Sequence, residues 1–151
     1  MKAGELMVGD WVNYRPGWID EETGKPEYEC GEGFPIKITC IYDGLAQYDD
    51  MLPDGTINTI EVADYELSGI PITPEILENN GFTYVGKKVW QWEEKPFWVW
   101  WEEETHHLGI EIDNSSYDEE KSKTIMIIVQ NYVHELQHAL RLCGIEKEIE
   151  L

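Results

Sequence analysis

The segment His134-Glu135-Leu136-Gln137-His138 has the residue types most suggestive of chemistry, because it fits the pattern H-E-x-x-H. Residues i and i+4 share one face of an α-helix, so His134 and His138 could bind a single Zn²⁺. In zinc hydrolases with this motif, the glutamate at the position of Glu135 activates the metal-bound water. The motif therefore raises the hypothesis of a zinc-dependent hydrolase, with Glu135 as its catalytic residue.

A third metal ligand is missing from the pattern. Catalytic zinc sites use three protein ligands and an open fourth position. The longer metzincin pattern fails, because Arg141 and Gly144 stand where it requires glycine and histidine. His106, His107 and Asp113 are other candidates, and only the tertiary structure could bring them to the helix. We therefore favour a protein without catalysis or cofactor and retain the zinc hydrolase as an alternative.

The helix that carries the motif is predicted from Tyr132 to Cys143, with Asn131 as its N-cap and Gly144 as its stop. At 100° per residue, its apolar residues fall on one side, which should face the core: Val133, Leu136, Ala139, Leu140 and Cys143. Polar residues occupy the opposite side: His134, Gln137, His138 and Arg141. We expect this amphipathic helix to close the fold, with both histidines accessible to solvent.

A tryptophan-rich hairpin is the second candidate site. Two runs rich in tryptophan and other β-forming residues flank a polar turn at residues 93–96. Alternate residues of a strand share a face, so Trp98 and Trp100 should stand together. Beside Glu103 and Glu104, they could form an exposed platform for a sugar or a partner peptide. The alternative is cross-strand packing in a core, which one face of the hairpin requires.

The net charge of −20 restricts the partners of this 151-residue chain. Nucleic acids and anionic membranes are recognised by surfaces rich in lysine and arginine, so we expect no direct binding to either. The acidic residues either only solvate the surface or form a face for a protein partner, which would then be basic. A further hypothesis is an acidic decoy that mimics nucleic acid, which would need carboxylates at phosphate-like spacing.

Targeting and cysteine patterns favour a cytoplasmic location. No apolar run approaches the roughly 18 residues needed to span a bilayer. The first residues, Met1–Leu6, have no apolar signal region. The three cysteines, Cys30, Cys40 and Cys143, form no disulfide or zinc-binding pattern, which favours reduced thiols.

We predict a single α+β domain. Short strands joined by tight turns predict a small, SH3-like, strand-rich part over residues 1–70. Residues 71–86 form a short helical linker. Residues 87–151 form an antiparallel sheet that is packed by the C-terminal helix.

Two elements of the second half are well marked. The linker helix should begin at Thr73-Pro74, an N-cap followed by proline at the first helical position, and end at Asn80-Gly81. The apolar run over residues 124–129 is typical of a central strand.

Three segments together resemble a known family: Glu5–Val12, Ile70–Phe82 and Tyr132–Ile145. Their sequences, ELMVGDWV, IPITPEILENNGF and YVHELQHALRLCGI, are similar to those of small uncharacterised proteins of Bacteroidales bacteria, their phages and mobile elements. The resemblance implies no known activity, and it implies that Glu135 is not a catalytic base, because that family usually has glutamine there. We therefore predict a non-enzymatic accessory protein of a phage or mobile element that acts through protein–protein contact.

Overall fold

The computed structural model of the chain describes residues 1–29, 31–94, 97–105, 107–112, 123–128 and 131–151. These residues form two compact units, Met1–Ile70 and Pro71–Leu151. Antiparallel strands dominate both units, and the second also contains the described α-helices, so the predicted α+β class is confirmed. The predicted helical linker, residues 71–86, belongs to the second unit.

Short antiparallel strands build the first unit. The strands described there are β1 (Trp11–Tyr14), β2 (Gly17–Ile19), β3 (Pro26–Tyr28), β4 (Phe34–Lys37), β5 (Cys40–Tyr42), β6 (Leu45–Met51), β7 (Ile57–Val62) and β8 (Leu67–Ser68). Short 3-10 turns lie at Ala3–Glu5 and Asp64–Glu66. One sheet has the order β4-β1-β8, another has the order β5-β6-β7, and β2 and β3 form a hairpin.

The strand order of the first unit agrees with the SH3-like arrangement that the sequence predicts. β1 pairs with β4 and also with β8, the last strand, which directly follows a 3-10 turn. The β2–β3 hairpin is inserted between β1 and β4 in the sequence. The first and last strands are therefore neighbours, as an SH3-like arrangement requires.

A change of hydrogen-bond partner at Ile38 connects the two sheets. The Ile38 N–H donates to the Asp10 carbonyl, next to β1, whereas the Thr39 N–H donates to the Gln47 carbonyl in β6; both distances are 2.9 Å. A single bent segment therefore supplies β4 to one sheet and β5 to the other. The sheets share a core that consists of Ala3, Leu6, Val12, Tyr14, Ile36, Ile38, Ala46, Tyr48, Val62 and Leu67.

A five-stranded antiparallel meander dominates the second unit. Its elements are α1 (Pro74–Asn79), β9 (Thr83–Gly86), β10 (Val89–Glu94), β11 (Phe97–Glu102), β12 (His107–Ile112), β13 (Lys123–Ile128) and α2 (Val133–Leu142). The strands are hydrogen-bonded in the order β9-β10-β11-β12-β13. Within the part of the chain that the structure describes, no helix is long and apolar enough to cross a bilayer.

Both edges of this sheet differ from the sequence prediction. The apolar run predicted as a central strand is β13, and it is the edge strand of the described sheet. Composition predicts burial but not position, and a meander places its last strand at an edge. The opposite edge is β9, which lies within the predicted linker. Residues 95–96 of the hairpin turn and residue 129 of the apolar run lie outside the described residues.

Helix α1 begins and ends as the sequence predicts. The Thr73 hydroxyl oxygen accepts a hydrogen bond from the Ile76 N–H at 3.3 Å, and Pro74 occupies the first helical position. Gly81 follows the helix with φ of 78°, a left-handed conformation that glycine adopts without strain.

The Asn80 side chain ties the segment after α2 to the end of α1. Its amide nitrogen donates to the carbonyls of Ile76 and Glu150, both at 2.7 Å, and its oxygen accepts from the Glu150 N–H at 2.9 Å. Asn80 is buried, and so are Ile145 and Ile149 in the segment that it holds. The last residues are therefore part of the packed second unit.

Substitution of Asn80 by alanine should lower the free energy of unfolding by about 2–3 kcal/mol, because it removes three partly buried hydrogen bonds, two of them with the backbone of Glu150. Urea denaturation checks this value. Asn79→Ala, at the exposed neighbouring position, should change stability by less than about 0.5 kcal/mol. Equal losses in the two variants would contradict the anchoring role.

Tyr14 is the centre of an aromatic cluster in the first unit. Its ring meets the edge of Phe34 at 5.4 Å and lies 5.5 Å from Tyr48, measured between centroids. Burial raises the pKa of the Tyr14 hydroxyl to about 12, and the negative charge of Glu66 adds to the shift. Burial also raises the pKa of Tyr48.

The first unit should lose stability as the pH rises from 10.0 to about 12, because Tyr14 ionises in the unfolded chain before it ionises in the folded one. Below this range the hydroxyl is neutral in both states and makes no pH-dependent contribution. Tyr14→Phe should reduce the alkaline decline, measured as denaturation midpoints at several pH values. The control is Tyr42→Phe, at an exposed position; an equal reduction in both variants would refute the assignment.

Candidate functional site

The helix with the H-E-x-x-H motif is one residue shorter than predicted at each end. α2 spans Val133–Leu142, and Tyr132 rather than Asn131 occupies the N-cap position, without a side-chain cap. Asn131 has φ of 73° and precedes the cap, so its predicted capping role is wrong. The helix nevertheless presents the motif residues at the predicted helical spacing.

The prediction that both histidines face solvent is wrong. His134 is only 5% exposed, Gln137 is fully buried and His138 is half-buried. The helical wheel assumes one buried side and one solvated side, whereas α2 is enclosed on most of its circumference. Its most exposed residue is the apolar Leu142, at 74%. Two polar residues of the predicted outer side, His134 and Gln137, are therefore part of the interior.

The two histidines of the motif lie side by side. Their ring centroids are 5.8 Å apart and the rings are nearly perpendicular, and His134 also stacks on Tyr132 at 5.9 Å. Glu135 is half-buried, and its Oε2 accepts no hydrogen bond from any residue that the structure describes. The structure thus preserves the spacing of the motif but gives it a buried setting.

A complete metal site is not formed by the described residues. Among them, no group of three or more His, Cys, Asp or Glu side chains is arranged to hold a metal ion. His107 begins β12 and is half-buried, while His106 and Asp113, the other candidate ligands, lie outside the described residues. The zinc alternative therefore stays a prediction, and the described residues supply no third ligand for it.

The register of the tryptophan hairpin separates its aromatic residues onto two faces. Trp90 of β10 is opposite Trp101 of β11, and Trp92 is opposite Val99. These four side chains are buried, together with Leu108 and Ile110 of β12. This is the core face of the sheet, and it confirms that one face of the hairpin is core.

Trp98 and Trp100 share the opposite face, as the alternation predicts. Trp98 is 45% exposed and Trp100 is half-buried. We call this side of β10, β11 and β12 the open face. It carries the alternate residues of the three strands: Val89, Gln91 and Glu93; Trp98, Trp100 and Glu102; His107, Gly109 and Glu111.

A glutamate stands on each side of Trp98. Glu93 of β10 and Glu111 of β12 are its cross-strand partners. Directly opposite side chains on one face of a sheet have Cβ atoms about 5 Å apart, so both glutamate side chains leave the backbone next to that of Trp98. Glu93 is exposed and Glu111 is half-buried. We call these three residues the Trp98 row.

Gly109 provides space for the indole of Trp100. A Cβ at position 109 would come within 2.1 Å of the Trp100 ring. The six-membered ring of the Trp100 indole therefore lies directly over Gly109 of β12. Gln91 is the cross-strand partner of Trp100 on the other side.

Glu103 and Glu104 are not next to Trp98. They follow β11 in an exposed turn, and the Glu103 N–H donates to the Lys88 carbonyl at 2.9 Å. At about 3.3 Å per residue, the turn begins roughly 16 Å along the strand from Trp98. The sequence therefore correctly placed the two tryptophans on one face, but the glutamates opposite Trp98 are Glu93 and Glu111. These two glutamates can be identified only from the pairing of β11 with both β10 and β12.

Three other aromatic rings among the described residues have a basic side chain of this chain above them. Arg15 lies 4.0 Å from the centroid of Tyr28, Lys37 lies 5.9 Å from that of Trp11, and Lys147 lies 5.1 Å from that of Trp92. Two of these pairs line concave regions of about 490 and 510 Å³, one in each unit. These pockets thus hold their own cation, and neither includes a predicted site residue.

Comparisons of the chain with protein-family models, with curated proteins and with solved structures found no match.

His134→Ala should lower the free energy of unfolding by about 2 kcal/mol or more, because it empties a buried site, whereas His138→Ala should cost about half as much. Denaturant unfolding measures both values. Zinc analysis of untagged protein provides the discriminating control. Near-stoichiometric zinc that is lost equally in both variants would contradict a structural role and support the zinc hydrolase.

Proposed function

We propose that the protein is a non-catalytic binding protein whose open face captures a basic segment of a protein partner. In this proposal, a lysine or arginine side chain of the partner stacks on Trp98 between Glu93 and Glu111. The observation that carries the proposal is the Trp98 row, in which an exposed indole has a glutamate directly opposite on both neighbouring strands.

The chemistry of the Trp98 row suits a cation. The face of an indole attracts an ammonium or guanidinium group, and two flanking carboxylates supply negative charge and hydrogen-bond acceptors. The chain itself uses the same pairing at Trp92, where Lys147 covers the ring. At Trp98, by contrast, both cross-strand neighbours are acidic, an arrangement that suits a cation supplied by a partner.

The overall charge favours the same class of partner. A net charge of −20 attracts basic proteins over several ångströms and accelerates their association, whereas it repels nucleic acids. A neutral sugar could stack on Trp98 but would gain nothing from this charge. A basic protein segment is thus the occupant that uses both the indole and the carboxylates.

The proposed role agrees with the sequence-based prediction of a cytoplasmic accessory protein of a phage or mobile element. The family resemblance is a prediction from the sequence and does not depend on the Trp98 row. The cytoplasmic location is part of the proposal. The acidic decoy differs in one respect, because it needs carboxylates in a phosphate-like row and no aromatic contact. The exposed Trp98 between two glutamates favours a specific protein contact over mimicry.

Trp98→Ala should weaken binding of a lysine-containing peptide by about tenfold, because the cation loses its aromatic partner in a partly desolvated setting. The measurement is a calorimetric or fluorescence titration at about 0.15 M ionic strength. Trp18→Ala is the matched control: Trp18 is 48% exposed and lies in β2 of the first unit. Equal losses in the two variants would show that binding is not specific to the Trp98 row.

The contribution of charge has its own matched pair. Glu93→Gln with Glu111→Gln, and Glu21→Gln with Glu22→Gln, change the net charge by the same amount. Only the first pair flanks Trp98, because Glu21 and Glu22 lie in an exposed turn of the first unit. We expect the first double variant to bind the peptide more weakly than the second; equal affinities would mean that net charge alone attracts the peptide.

A further inference from the structure

We infer that the bound segment is extended, lies along β11, and carries two basic residues four positions apart with an apolar residue midway. This inference rests on the proposed function and specifies the partner's sequence pattern. It comes from the order of the open-face residues on β11, which is Trp98, Trp100 and then Glu102.

The spacing on β11 matches that of an extended peptide. Alternate residues of a strand on one face are separated by about 6.6 Å, so Trp98 and Glu102 are about 13 Å apart. Alternate residues of an extended peptide recur at nearly the same interval. A cation placed on Trp98 therefore puts the residue four positions away over Glu102, with no bend in either chain.

The middle position is apolar. Trp100 is half-buried, and its ring lies against Gly109, so it offers a flat hydrocarbon surface rather than a charged one. Its other cross-strand neighbour, Gln91, is uncharged. A valine or leucine between the two basic residues would contact this surface, and a charged residue would lose hydration there without gaining a partner.

The two positions for a basic residue, at Trp98 and at Glu102, differ in how strongly they attract a cation. At one end, Trp98 has an aromatic ring and two carboxylates. At the other, Glu102 already accepts a hydrogen bond from the Thr105 hydroxyl, and its cross-strand neighbours are Val89 and His107. The β9–β10 turn next to this end contains Lys87 and Lys88, which reduce the negative potential. The basic residue over Trp98 should therefore dominate the affinity.

An extended segment is favoured over a helical one by the same distances. A helix rises 1.5 Å per residue, so about 13 Å would separate basic residues eight or nine positions apart. Residues four apart on a helix are only about 6 Å apart and could reach Trp98 and Trp100 but not Glu102. The separation of the two basic residues in the peptide that binds most tightly therefore shows whether the bound segment is extended or helical.

The experiment uses end-blocked peptides of one composition, made from two lysines, one valine and several threonines. One has Lys-Thr-Val-Thr-Lys, with the lysines four positions apart; its isomers have adjacent lysines or lysines eight apart. The four-apart peptide should bind the full chain about five- to tenfold more tightly than either isomer. Trp98→Ala should abolish this preference, and Trp18→Ala should retain it.

Single replacement of each lysine by norleucine in the four-apart peptide identifies the residue over Trp98. One replacement should weaken binding at least about fivefold and the other less, and Trp98→Ala should erase only the larger effect. If the isomers bind equally while Trp98→Ala still weakens binding, the spacing inference is wrong and the proposed function stands. If the eight-apart peptide binds best, the extended conformation is wrong. If Trp98→Ala changes nothing, the proposed function itself is wrong.

Discussion

The antiparallel register of β10, β11 and β12 is the constraint on which the second unit depends. Pairing Trp90 with Trp101 buries large indoles on one face, and the strict alternation of a strand then sends Trp98 and Trp100 to the other. A slip of one residue would expose the core tryptophans and bury Glu93. Packing of the core face therefore determines the register of the three strands. The same register places Glu93 and Glu111 opposite Trp98 on the open face.

Local signals predicted the elements that local forces determine. Thr73 and Pro74 start α1 because they satisfy or remove free N–H groups at a helix end, and Gly81 stops it because it tolerates a left-handed conformation. The shared face of Trp98 and Trp100 was also predictable, because alternate residues of a strand lie on the same side. These features need no knowledge of the rest of the chain.

Features that depend on tertiary packing were not predictable in this way. His134 and Gln137 are buried because α2 is enclosed on several sides, which periodicity does not report. β13 is an edge strand of the described sheet because of the chain order of the meander, whatever its apolar content. Glu111 reaches Trp98 only through the pairing of β11 with β12, so its role is visible only in the three-dimensional register.

The most direct test of the central claim is a double-mutant cycle between Trp98 and the basic residue of a bound peptide. Trp98→Leu is combined with lysine replaced by norleucine, which keeps the aliphatic stem but removes the charge. A coupling energy of about 1 kcal/mol or more is expected if the ammonium group rests on the indole between Glu93 and Glu111. A coupling energy near zero would show that the cation binds elsewhere and would contradict the assigned role of the open face.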